Sequence, residues 1–257
     1  QLWVSTLRNG VYRLDQPDGK GDFGMVTAFN KGNGLRSNAV KKVFEDLEGN
    51  IWIATYGDGL SLLSGQPMAF TKMETAGLDN DIMAIAVTAD NQYYVGGQGG
   101  LFRFTPGKDK SPVKVQGVPA DKVTALHLSD RGLFIGTETR GLFLMDMKTQ
   151  SVRNIPYEAY SMGKWISGIV SDDRYVYLGT KDGIYRLGND FKEEAHFTTN
   201  DGLPHNNIEH LLIDSKGRLL FATRSKGIYE LTRDGMVNLL YPVDQADVEF
   251  KSLAEDA

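Results

Sequence analysis

Apolar residues along this chain come in short runs that fall into pairs. The pairs read LWVST…GVYRL, IWIAT…GLSLL, YYVGG…GLFRF, LFIGT…GLFLM, VYLGT…GIYRL and LLFAT…GIYEL. Each is an apolar run closed by Thr or Gly, a few polar residues, a glycine, and a second apolar run. The shared glycines are Gly10, Gly59, Gly100, Gly141, Gly183 and Gly227, spaced by 49, 41, 41, 42 and 44 residues. A strand-rich period of roughly 40–50 residues predicts a β-propeller with one four-stranded blade per repeat.

An inner strand precedes each pair: NAVKKVFED, NDIMAIAVT, DKVTALHLS, KWISGIVSD, NNIEHLLID and, at the C-terminus, VEFKSLAED. Its third and sixth positions are apolar, as in Val40 and Val43 or Ile208 and Leu211. The strand that follows is apolar almost throughout, which means burial on both faces. Its second residue is aromatic in five of the six copies (Trp3, Trp52, Tyr94, Phe134, Tyr177), with Leu220 in the sixth. These rings are expected to wedge between blades. No helical periodicity is sustained, and the DQPDGKGD and TPGKDKSP stretches read as hairpin loops.

The last inner strand has no successor, and Leu2–Thr6 has no predecessor. From Gly227 through the C-terminus and on to Gly10 is about 40 residues, one further period. The expected fold is therefore all-β, a β-propeller of six four-stranded blades forming a single domain over residues 1–257. Pairing of the N- and C-terminal strands would close it and leave no open sheet edge. The alternative is a fragment of a seven-bladed propeller.

Composition narrows the function classes. The net charge of −5 argues against nucleic acid, which needs a cationic face. No apolar run is long enough to span a bilayer, so any membrane attachment would come through other segments. The chain opens inside a blade strand without a signal peptide, as expected of a mature or excised segment. With no cysteine, disulfides and thiolate zinc sites are excluded.

The acidic column after the inner strands (Asp46, Asp172, Asp214, Asp256, with Thr88 and Ser129 in the other blades) fits turn chemistry better than a metal ring. The shared glycines read as positive-φ turn residues, not as a phosphate cradle, because no helix follows them. His127 and His210 sit on inner strands as structural residues, whereas His205 lies on a loop. No metal spacing or catalytic triad context is present, so no metal, cofactor or catalytic residue is expected.

Two segments carry a specific resemblance. GLRSNAVKKVFEDLEGNIWIATYGDGLSLL (34–63) and GLPHNNIEHLLIDSKGRLLFATRSKGIYEL (202–231) closely resemble the two-component regulator propeller repeat, and the other copies are in register with them. The resemblance implies a periplasmic sensor propeller of a membrane histidine kinase, hybrid regulator or diguanylate cyclase, in which any kinase activity resides in another domain. It also implies sensing of polysaccharide breakdown products and signalling through a homodimer.

The loops before the inner strand and after the second strand emerge on one face. They offer Arg8, Asn38, Tyr56, Asp58, Gln98, Arg140, Lys164, Trp165, His205 and Arg224 as candidate ligand contacts. Aromatic faces stack on sugars, amides bond hydroxyls, and Arg pairs carboxylate or sulfate. The expected function is non-catalytic sensing of an oligosaccharide or other small polar ligand. The alternatives are a propeller lyase or hydrolase, and a protein-interaction scaffold.

Overall fold

The computed structural model describes residues 2–14, 26–45, 49–63, 69–71, 81–105, 108–109, 111–159, 163–223, 227–241 and 250–255. The Asp15–Asp22 hairpin loop, Asp46, Asp256 and Arg224 lie outside the described residues.

The chain forms a β-propeller. It begins with β1 (Leu2–Thr6), β2 (Val11–Leu14) and β3 (Val26–Phe29). Five sheets of four consecutive strands follow: β4 (Val40–Glu45), β5 (Ile51–Thr55), β6 (Leu60–Leu63) and β7 (Ala69–Thr71); β8 (Ile82–Val87), β9 (Tyr93–Gly97), β10 (Gly100–Phe104) and β11 (Val113–Lys114); β12 (Val123–Ser129), β13 (Gly132–Thr137), β14 (Leu142–Met145) and β15 (Val152–Ile155); β16 (Ile166–Ser171), β17 (Val176–Thr180), β18 (Gly183–Leu187) and β19 (Glu193–Phe197); β20 (Ile208–Ile213), β21 (Leu219–Thr223), β22 (Gly227–Leu231) and β23 (Val237–Tyr241). The C-terminal β24 (Phe250–Glu255) pairs antiparallel with β1, giving a further four-stranded sheet in the order β24-β1-β2-β3. Where the sequence counted six blades, five are thus contiguous in the chain, and the remaining sheet is shared between the termini.

The described residues also show how the sheets sit around an axis. The inner strands touch in a cycle: β4 with β8, β8 with β12, β12 with β16, β16 with β20, β20 with β24, and β24 with β4. Between each adjacent pair of sheets lies one apolar cluster. Phe134 and Leu142, for example, pack with Ile166 and Leu178, while Val4 packs with Ala222 and Leu253. The aromatic column fills these wedges: Trp3, Tyr94, Phe134 and Tyr177 are all buried. Trp52 is only half-buried, its ring meeting the edge of Tyr93 at 5.6 Å.

Two local rules recur among the blades. In four of them the Thr that ends the second strand turns its hydroxyl onto the carbonyl of the shared glycine, at 2.9 Å for Thr6–Gly10, Thr55–Gly59 and Thr180–Gly183 and 3.0 Å for Thr137–Gly141. All six shared glycines have positive φ. At Gly10 a side chain would also place its Cβ 2.0 Å from the Phe29 carbonyl oxygen. One position before the Thr the strand must be small, because the neighbouring inner strand packs against it. A Cβ on Gly136 would lie 2.7 Å from Ile166. The acidic column behaves as turn chemistry requires: Asp214 accepts the backbone N–H groups of Lys216 and Arg218, and Asp172 those of Arg174 and Tyr175.

Candidate functional site at the propeller axis

Each inner strand carries a register shift at its second residue. The shifts fall at Val40/Lys42, Ile82/Ala84, Val123/Ala125, Ile166/Gly168 and Ile208/His210, and β24 shows the same between its partners Ser5 and Thr6. One extra residue per strand leaves the ladder there, as in a β-bulge, and a bulge re-aims a side chain. The residues are Lys41, Met83, Thr124, Ser167, Glu209 and Lys251, and all line one cavity of about 270 Å³ at the axis.

The bulge residues divide into two arcs. Thr124 Oγ1 donates to the Ile166 carbonyl of the next blade at 2.6 Å, and Ser167 Oγ reaches the Ile208 carbonyl one blade further on. With Met83 they form a neutral arc whose hydroxyls serve the backbone. Glu209, Lys251 and Lys41 form the charged arc. Lys251 pairs with Glu209 at 2.9 Å, and Glu209 also accepts from Asn207 Nδ2 at 3.1 Å. Both members of this ion pair are mostly withdrawn from water, with side chains 12% and 14% exposed.

Lys42, Lys181, Tyr56 and Trp165 complete the mouth. The Lys41 ammonium lies 5.3 Å from the Tyr56 ring centroid, and that of Lys181 lies 2.8 Å from the Trp165 centroid. Burial pushes Lys41 down to about 8, with repulsion from Lys251 adding to it and Glu209 partly offsetting it. Lys42 is pushed down to about 8 by burial and by Lys41. Burial also raises the Tyr56 phenol, which stays a donor at neutral pH.

One step deeper, His210 Nδ1 accepts the Leu253 N–H at 3.2 Å. That bond requires the neutral ring. Burial, then Lys42 and Lys41, hold its pKa well below the ordinary histidine value. His127 is similarly held near 4 by burial, Lys42 and Arg131, with its Nε2 2.9 Å from Ser171 Oγ.

Of the ligand contacts expected from sequence, Tyr56 and Trp165 meet at this mouth. Gln98 lies instead on a separate cavity of about 380 Å³ with Asp121, Lys122 and Glu138. Asn38 serves its own loop, its side chain accepting from Lys31 N at 2.7 Å, and Asn206 repeats the contact with Thr199 N. His205 Nδ1 accepts from Asn207 N at 2.8 Å, and its ring is exposed. Arg8, Asp58, Arg140 and Lys164 are exposed on the surrounding loops. The bulge ring was missed from sequence. Its signal was there, since one column between two buried apolar columns varies from Lys to Met, Thr, Ser and Glu, but only the bulge turns that column to the axis. Among the described residues, no three of His, Asp and Glu come together as a metal site would need. No helix of the described residues is long and apolar enough to cross a membrane.

No family model matches the chain. Among curated proteins, it is 27% identical over 163 residues to histidine kinase P4 of Formosa agariphila, a match covering 57% of this chain and 12% of the kinase. Among solved structures, the extracellular domain of BT4673 from B. thetaiotaomicron, described as a hybrid two component system, has a TM-score of 0.56 at 19% identity, over 90% of this chain and 35% of that one. PorZ, a surface component of the type-IX secretion system of Porphyromonas gingivalis, has a TM-score of 0.60 at 18% identity, over 93% and 37%. Virginiamycin B lyase from Staphylococcus aureus, in an inactive H270A form with quinupristin, has a TM-score of 0.69 at 12% identity, over 93% and 79%. At these identities the structural likenesses establish the fold alone. The chain spans 12% of the kinase and 35% of the BT4673 domain. It is a β-propeller that resembles, in repeat sequence and in fold, the propellers of two-component sensors.

Proposed function

We propose that this chain is a non-catalytic, ligand-sensing propeller, the extracytoplasmic input part of a two-component signalling protein. On this reading the six sheets make one closed ring, and a small polar ligand or oligosaccharide enters at the axial mouth. The observation that carries it is the mouth itself: a concave site where side chains from several sheets converge, on the face whose loops vary while the scaffold repeats. The repeat resemblance and the likeness to a histidine kinase supply the sensory context. The fold is shared with a lyase, but fold alone does not carry an activity from one propeller to another.

Thermal melts of the chain against a panel of oligosaccharide fragments test the proposal. A fragment at a hundred times its Kd stabilises by about 2.7 kcal/mol. That raises Tm by roughly 5–10 °C for a domain of this size. A flat response across the panel counts against sensing of glycans. Turnover of a fragment by the chain counts against a purely sensory role.

A further inference from the structure

The protein as a whole is acidic, with 28 Lys and Arg against 33 Asp and Glu. The axial mouth has the opposite balance. Lys41, Lys42, Lys181 and Lys251 line it, against the single carboxylate of Glu209. That carboxylate is already engaged by Lys251 and Asn207. Among the described residues, no carboxylate lies within ion-pair distance of Lys41, Lys42 or Lys181. Gathering like charges in a partly desolvated site is unfavourable in itself. An anion placed among them would reverse that cost, because paired charge is stabilised more strongly where water is scarce.

The aromatic rings sharpen the chemistry. Tyr56 and Trp165 do not stand open as stacking platforms, since the Lys41 and Lys181 ammonium groups lie against them. Cation–π contact holds those heads in place. The rings therefore act as positioning groups for donors, and the Tyr56 hydroxyl adds a neutral one. The neutral arc offers little to a ligand, since the hydroxyls of Thr124 and Ser167 already donate to the neighbouring blade's backbone.

From this we propose that the axial mouth is an oxyanion site, taking a ligand through a carboxylate or sulfate group held by Lys41, with Lys42, Lys181 and Lys251 around it. The inference rests on the sensory reading above and names its ligand class: an acidic fragment rather than a neutral one.

The test is calorimetric titration of the full chain with three oligosaccharides of equal length, one uronate-containing, one sulfated and one neutral, at low and high salt. One or both acidic probes bind, salt weakens them, and the neutral probe binds at least tenfold more weakly. The two acidic arms separate carboxylate from sulfate as the source of the oxyanion. Lys41→Met lowers acidic-probe affinity at least tenfold, whereas Lys148→Met, on an exposed turn, leaves it unchanged. Should Lys41→Met fail to melt cooperatively, Lys181→Met serves in its place, with the same loss expected. Equal binding of the neutral probe, or acidic binding indifferent to these substitutions, overturns the oxyanion site while leaving the sensory reading standing. Absence of binding by all three overturns the oxyanion site and the oligosaccharide part of the sensory reading.

Discussion

The two arcs of the axial ring occupy the same position in the same repeated strand, yet they do opposite work. Thr124 and Ser167 direct their hydroxyls sideways onto the next blade's carbonyls, joining blades that share no strand ladder. Lys41, Glu209 and Lys251 direct charge into the mouth and hold it there at a cost in desolvation. One arc stabilises the ring, and the other is tolerated by it. If the charged arc binds a ligand as proposed, its cost to the scaffold is the usual trade between function and stability.

Four substitutions or conditions separate the two arcs, in order of decreasing effect. Glu209→Gln leaves Lys251 mostly buried without its partner, beside Lys41. Removing one member of a buried pair costs about 3–5 kcal/mol. The modest remaining exposure puts the expectation at the low end, about 3 kcal/mol, read as a shift in urea midpoint at constant m. No shift would mean that the pair is solvated and the arc not under strain.

The second concerns the histidines beneath each arc, His127 on β12 and His210 on β20. Both have a folded pKa below the unfolded value, so the folded state resists a proton that the unfolded chain accepts. Their contribution is intact above about pH 6.5 and is lost as pH falls. With His127 held near 4, its share of the loss approaches about 3 kcal/mol by pH 4. Denaturation at pH 7 and pH 4.5 reads the difference, and His127→Gln should remove about 2–3 kcal/mol of it. An acid response unchanged in that variant would assign it to His210 or to carboxylates.

Thr124→Val is the third test. It keeps the shape but leaves the Ile166 carbonyl without this donor, at about 1–3 kcal/mol. A neutral result would show that the hydroxyl bridge does not hold blades together. Lys41→Met, the smallest effect, has the opposite sign. Removing a desolvated ammonium recovers about 3 kcal/mol at pH 7, and losing its cation–π contact with Tyr56 takes back about 1–2 kcal/mol, so a net stabilisation of about 1–2 kcal/mol is expected alongside the loss of acidic-probe affinity. The gain should shrink as pH rises from about 8 toward 10.5, because the native lysine then sheds its proton. A destabilised Lys41→Met would place Lys41 with the neutral arc.

How much was legible beforehand differs between fold and site. The paired apolar runs, the aromatic wedge column, the turn aspartates and the shared glycines could all be read from the chain, because each depends on neighbours within one repeat. Trp52 shows the limit of that reading. Its column marks it as a wedge, and it packs against the cluster around Tyr93 and Val95, but it is less buried than Trp3 or Phe134, since burial depends on what the adjoining sheet presents. Asn38 and His205 read from sequence as free polar groups, but their loops use both for local hydrogen bonds. Tyr56 and Trp165, expected on one loop face, line one cavity, but with lysines against their rings they are not open stacking platforms.

The repeat, the strand order within each blade and the pairing of the tail strand with the head strand are already present in the chain, because they follow from local periodicity and from edges that must be paired. Which residues meet at the axis follows from the folded ring alone. A bulge of one residue in each inner strand turns a varied column inward, and charges separated by up to 210 positions in the chain, Lys41 and Lys251, then act on each other across a single cavity.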